Sequence, residues 1–195
     1  QYSDSHRLLL LERGEVHIDV AHDKNRPLTV YAKDKVVQAV GTAFNVEIYN
    51  DKEVELIVTD GKVLVARQPT LQEELSAVQP KNLPRSSMAV SKGEKIVSGS
   101  IKEKVDQVEE ADIAADLSWR QGNLIFRGES LQEAVEEISR YTAVEFELLD
   151  DSIKHIRIAG LFKAGDVSGL LSALDQNFNI AYKKIGNEKV LLRAK

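Results

Sequence analysis

Cysteine is absent from the 195-residue chain. That single absence excludes disulfides, thiolate metal sites and cysteine nucleophiles. It leaves the compartment open, although a cysteine-free chain is compatible with an oxidising one. Long apolar runs are missing too, so no segment reaches the length that spans a bilayer. No signal peptide is visible at the N-terminus; if the chain belongs to a membrane-anchored protein, the anchor lies outside this sequence. Positive charge is not in excess: 26 Lys and Arg stand against 31 Asp and Glu, a net charge of −5. This argues against a nucleic-acid or anionic-membrane binder, because phosphate selects for clustered Lys and Arg. Histidines number four. None of His6, His17, His22 and His155 pairs at metal-ligand spacing, and no H-E-x-x-H occurs. All four read as solvated. No Gly-rich phosphate loop is present, and Lys92-Gly93-Glu94-Lys95 reads as a turn. Glu133, Glu136 and Glu137 read as a solvated helix face rather than an acid–base pair. Neither a metal nor another cofactor is expected.

What is present is the composition of a globular protein, 43% hydrophobic and 29% charged. The length allows one large or two small domains. The first part has the period of β-structure. Arg7-Leu8-Leu9-Leu10-Leu11 is an apolar run of the kind a strand buried on both faces gives. After Arg13-Gly14, the stretch from Glu15 to Val20 alternates, with Val16, Ile18 and Val20 inward and Glu15, His17 and Asp19 outward. Polar residues 23–27 turn the chain into Leu28-Thr29-Val30-Tyr31. Then comes one long extended segment, Val36 to Tyr49, interrupted by Gly41-Thr42. Counted by strand parity, Val36, Val40, Phe44, Val46 and Ile48 share a face, and Thr42 lies on it. Val54 to Val58, the turn Asp60-Gly61 and Lys62 to Val65 read as a hairpin. Three of the four prolines, Pro69, Pro80 and Pro84, mark a loop over 68–85, with a short helix possible from Leu71 to Ala77. Strand pattern returns at Ser87 to Val90 and Glu94 to Val97. Acidic sequence from about Lys102 to Asp116 reads as an interdomain linker.

From Trp119 the period changes. Leu124-Ile125-Phe126 is predicted as a strand. Ser130 and Glu133 then form an S-x-x-E helix-start signal, followed by Leu131, Val135 and Ile138 at helical spacing. Val144 to Leu148 returns to strand. The pattern then repeats without a gap at an offset of 162 − 126 = 36 residues. Phe126 matches Phe162, Ser130 matches Asp166, Leu131 matches Val167, Val135 matches Leu171, Ile138 matches Leu174, and Phe146 matches Tyr182. Two strand–helix–strand units stand in tandem, each with a side-chain cap, and neither can bury its apolar face alone. The predicted fold is therefore mixed. An all-β domain over 1–112, sandwich or solenoid-like, precedes a small α/β domain of two β-α-β repeats over 113–195.

The stretch Val37-Gln38-Ala39-Val40-Gly41-Thr42-Ala43-Phe44-Asn45-Val46 resembles the V-x-A-x-G-T-x-F-x-V pattern of FecR-like anti-sigma factors, the sigma regulators of cell-surface signalling in Gram-negative bacteria. Trp119-Arg120-Gln121-Gly122-Asn123-Leu124-Ile125-Phe126 resembles the W-R-x-G-x-L-x-F entry into their second domain, which is similar to the secretin and TonB short N-terminal domain. Ser139-Arg140-Tyr141 and Ile158 to Phe162 extend the likeness. The resemblance implies the periplasmic region of a single-pass inner-membrane protein. Its partner would be the signalling domain of a TonB-dependent outer-membrane receptor. Its output would pass to a cytoplasmic extracytoplasmic-function sigma factor through segments not in this sequence, with periplasmic and intramembrane proteases as further partners. The usual input is ferric siderophore or haem uptake.

The resemblance also marks Gly41-Thr42 as a site where many members cut their own backbone. The Thr42 hydroxyl would attack the Gly41 carbonyl, and water would open the resulting ester. From the residues alone a glycine bulge with an ordinary threonine is the simpler reading, and no base is assignable. The chain is not expected to be an enzyme beyond that single turnover. For receptor docking the expected surfaces are strand edges at Arg157, Ile158 and Ala159 and at Val190, Leu191 and Leu192. Trp119 reads as a domain anchor before a partner hot spot. The alternatives are a structural or assembly module of a secretin or TonB-dependent transducer and a stand-alone self-processing hydrolase; no Ser/His/Asp or metal constellation supports the latter.

Overall fold

The computed structural model describes residues 7–49, 53–67, 87–98 and 103–195. The chain divides into two compact units, 1–113 and 114–195. The proline-marked loop over 68–85 and the helix considered from Leu71 to Ala77 lie outside the described residues.

Among the described residues ten strands build the first unit: β1 (Arg7–Leu11), β2 (Gly14–Asp19), β3 (Leu28–Ala32), β4 (Lys35–Ala39), β5 (Ala43–Tyr49), β6 (Glu53–Asp60), β7 (Lys62–Arg67), β8 (Met88–Ser91), β9 (Glu94–Ser98) and β10 (Lys104–Gln107). They form two five-stranded sheets, β1-β3-β4-β7-β8 and β10-β9-β6-β5-β2. Their inward residues share one core. Val30, Val37, Val63, Val65 and Val90 come from the first sheet, and Phe44, Val46, Ile48, Leu56, Val58 and Ile96 from the second. Such a layer is stable because each sheet buries its apolar face on the other.

The chain crosses from sheet to sheet at short corners, and this corrects three expectations. The segment from Val36 to Tyr49 is not one strand. β4 lies in the first sheet and β5 in the second, so Gly41-Thr42 is the corner between them. The inward parity changes there: Val37 and Ala39 face the core before it, and Phe44, Val46 and Ile48 after it. Asp60-Gly61 does not close a hairpin either, because β6 pairs with β5 and β9 while β7 pairs with β4 and β8. The turn at Lys92-Gly93 likewise joins β8 to β9 across the sheets. Gly41, Gly61 and Gly93 have φ of 61°, 76° and 80°. That left-handed region is open to glycine and strained for residues bearing a β-carbon.

Two other expectations change. Among the described residues the Arg7–Leu11 run is an edge strand, paired in parallel with β3 alone, and Leu10 is half-exposed rather than buried. The acidic stretch read as a linker from about Lys102 instead carries β10, which pairs with β9, and helix α1 (Glu110–Asp116). Backbone pairing at the sheet edge outweighed its low apolar content.

The second unit opens with a 3-10 turn, Ser118–Gln121. It continues through β11 (Asn123–Ser130), α2 (Leu131–Ser139), β12 (Glu145–Leu148), α3 (Asp151–Lys154), β13 (Arg157–Lys163), α4 (Val167–Asn177), β14 (Ile180–Ile185) and β15 (Lys189–Ala194). Both caps form: Ser130 and Glu133 make a reciprocal capping box, and Asp166 accepts from the Gly169 N–H at 2.9 Å. The duplication is visible in the pairing. β11 and β13 are antiparallel, with Phe126 opposite Gly160 and Leu124 opposite Phe162. Since 126 + 36 = 162 and 124 + 36 = 160, each pair is the repeat image of the other. The Phe126 and Phe162 rings, equivalent in the two repeats, meet at 5.7 Å. Each repeat sends its first strand to this two-stranded sheet. Its second strand goes to a three-stranded sheet, β12-β15-β14. Leu131, Val135, Ile138, Leu171 and Leu174 bury the two helices in a common core. Trp119 packs against that same core.

Candidate functional site

The Gly41-Thr42 corner is where the sequence motif and unusual local geometry coincide. Thr42 is 4% exposed, and its Oγ1 is buried without a hydrogen-bond partner among the described residues. An unpaired buried hydroxyl costs free energy, and Thr29 Oγ1 in the same unit shares that state. Its backbone is held: the Thr42 carbonyl accepts from the Val20 N–H at 2.9 Å. Its side chain is held by the next corner. A β-carbon on Gly61 would stand 2.8 Å from Thr42 Cγ2, so the methyl group occupies the space that glycine leaves open. The corners also stack through the backbone, since Lys92 N–H donates to the Gly61 carbonyl at 2.9 Å.

Gly41 has a neighbour that sequence reading passed over. The place of its missing β-carbon is filled by His22, whose Cβ and Cγ would lie 2.9 and 3.0 Å from it and whose Nδ1 would lie closer still. His22 is otherwise exposed, in agreement with a solvated histidine, but one side of its ring lies on the glycine. Chain separation hid this contact: His22 sits in the connection between β2 and β3, and only the folded corner brings it to Gly41. That connection is fixed on both sides of the histidine. Arg7 donates to the carbonyls of Ala21 at 3.0 Å and Arg26 at 2.7 Å. Asp23 accepts from the side chain of Arg26 and from the N–H groups of Asn25 and Arg26. The Arg26 hydrogen bond, with those backbone donors, holds the Asp23 carboxyl below its ordinary range.

A second polar cluster lies elsewhere in the same unit. Lys35, 2% exposed, pairs with Glu103 and with Asp34, and Arg67 reaches Glu103 at 2.9 Å and Asp34 at 3.2 Å. Burial would raise the Glu103 carboxyl, but the Lys35 hydrogen bond and the charges of Lys35 and Arg67 outweigh it and hold the group low. This network neutralises a buried ammonium and has no nucleophile. His17 contacts Thr59 at 3.3 Å on the outside of the second sheet. No group of three or more His, Asp or Glu suited to a metal occurs among the described residues.

In the second unit the two expected docking edges differ. Val190, Leu191 and Leu192 lie on β15, the middle strand of its sheet, paired with β12 on one side and β14 on the other. No edge is left there for a partner strand, which corrects that expectation. Arg157, Ile158 and Ala159 lie on β13, which among the described residues pairs with β11 alone. Leu161 on the same strand is 64% exposed.

The family model described as FecR protein matches residues 1–64. The model described as FecR, C-terminal, matches residues 123–192. The two matches fall in order on the two compact units. The chain is a FecR-like protein. Its fold is also that of two crystal structures of a proposed anti-sigma factor from Parabacteroides distasonis. They superpose with TM-scores of 0.73 and 0.72 at 21% identity, over 100% of this FecR-like chain and 84% and 83% of theirs. No curated protein matches the FecR-like chain. Among its described residues no helix is long and apolar enough to cross a membrane.

Proposed function

We propose that this chain is the periplasmic signalling region of an anti-sigma regulator. It binds the N-terminal signalling domain of a TonB-dependent outer-membrane receptor and controls an extracytoplasmic-function sigma factor, with ferric siderophore or haem uptake as the input. The observation that carries this reading is the ordered pair of FecR matches, one on each unit. The shared fold with a proposed anti-sigma factor supports it. The receptor docks at the free edge of β13, Arg157 to Ala159, by adding a strand whose backbone hydrogen bonds supply affinity. Calorimetry of the chain with a panel of receptor signalling domains tests the partner: one cognate domain binds and the others do not. Binding by none of them rejects the receptor reading. Leu161→Lys, an exposed change beside that edge, weakens the cognate complex at least tenfold while leaving the thermal midpoint unchanged; undiminished binding moves the interface elsewhere.

We further propose that the chain cuts itself once, between Gly41 and Thr42. The buried, unpartnered Thr42 hydroxyl supports this, since it has no competing bond to hold it from its own carbonyl. The pieces remain one body after the cut. β2 pairs with β5, and β4 with β7, so the part before the break is laced to the part after it in both sheets.

A further inference from the structure

The contact between His22 and Gly41 is unexplained by packing alone, because His22 is exposed and contributes nothing to either core. Several anchors nevertheless pin the short segment that carries it. Val20 N–H is bonded to the Thr42 carbonyl, Arg7 grips the Ala21 carbonyl, and Asp23 is locked by Arg26. All three atoms nearest the open face of Gly41 belong to His22. A titratable ring is thus held against one half of a peptide bond whose other half carries a buried, unpaired hydroxyl.

Resting on the self-cleavage reading above, we propose that His22 is the proton carrier of that reaction, and that Gly61 is its positioning partner on Thr42. The imidazole takes the proton from Thr42 Oγ1 as that oxygen forms a bond to the Gly41 carbonyl carbon. The same ring returns the proton to the Thr42 nitrogen as the carbon–nitrogen bond breaks. The product is an ester between Gly41 and the Thr42 side chain, with a free α-amine. Water then adds to the ester carbon and the ester bond breaks, giving a Gly41 carboxyl group and restoring the Thr42 hydroxyl. One water is consumed in the hydrolysis, and no oxidant or metal takes part. Glycine at 41 is required twice over: it accepts φ of 61°, and it leaves the face on which the ring lies. Glycine at 61 receives the Thr42 methyl and so fixes which way the hydroxyl turns.

The test is a pulse of cell-free synthesis of the full chain, followed by gel and intact-mass measurement of the fragment beginning at Thr42. His22→Ala and His22→Asn slow its appearance by on the order of 100-fold, the range lost with a general acid–base group. Both keep the wild-type thermal midpoint, as an exposed residue should. Added imidazole restores cutting in His22→Ala and leaves Thr42→Ala uncut. Wild-type chain that stays whole overturns the self-cleavage reading and this inference with it. Wild-type cutting matched by both His22 variants overturns this inference alone. Variants that cut slowly and gain nothing from imidazole also overturn it, since the ring would then shape the corner without carrying the proton.

Discussion

Gly61 makes room for Thr42. A β-carbon at residue 61 would meet the Thr42 methyl carbon at 2.8 Å, with Thr42 Cβ at 3.3 Å and the Gly41 carbonyl oxygen at 3.5 Å behind it. Two corners of the double sheet, 20 residues apart (61 − 41), therefore share one pocket of space. Gly61→Ala is expected to lower stability by at least about 1 kcal/mol, from left-handed backbone strain plus this contact. It should also slow formation of the Thr42 fragment, read on gels beside a chemical denaturation curve.

Thr42 itself separates nucleophile from filler. Thr42→Ala is expected to remain whole after long incubation, while Thr42→Ser and Thr42→Cys retain cutting because each keeps a nucleophile. Mass spectrometry decides, and cutting in Thr42→Ala would assign the event to a protease.

Phe44 lies at 0% exposure, just past the corner. Phe44→Ala is expected to cost about 3–4 kcal/mol, the usual loss for a large core aromatic. A shift in the urea midpoint with unchanged slope measures it.

Glu103 gives the first unit an acid sensitivity of known sign. Its carboxyl is held below the ordinary 4.5 in the folded chain. The stabilisation is therefore complete above the unfolded value and is lost as pH falls through the lower, folded one. Glu103→Gln should flatten the stability curve of this unit below about pH 5. At neutral pH it should cost on the order of 3 kcal/mol, because Lys35 is left buried with Asp34 as its remaining acceptor. Denaturation midpoints of the two proteins from pH 7 to 3 test both expectations; parallel curves would count against them.

The second unit is expected to fold alone. A fragment over 114–195 contains a complete core, both helix caps and both of its sheets. Circular dichroism with mixed helix and strand and a cooperative melt are the outcomes that agree; a disordered spectrum does not.

Much of this was legible because it is local. The helix starts at Ser130 and Asp166 were read from cap chemistry, which acts within three residues. The repeat was read from identical apolar spacing 36 residues apart. The Gly41-Thr42 motif stood out as a break in strand pattern. Less legible were features that depend on which strand pairs with which. Asp60-Gly61 has the composition of a hairpin, and the same residues serve equally well to cross between sheets. Strand β10 has little apolar content, and its pairing with β9 provides what its side chains do not.

The sequence by itself determined the two-part organisation, the period of each element, the caps and the threonine at the corner, because these follow from neighbours along the chain. Only the tertiary structure decided that Gly41 turns between sheets and that Gly61 cradles the Thr42 methyl. It also decided that His22 lies on the glycine and that the strand ending in Ala194 is central rather than open. Each of these joins residues remote in sequence through sheet pairing, and a residue's own spacing carries no record of its partner across a sheet.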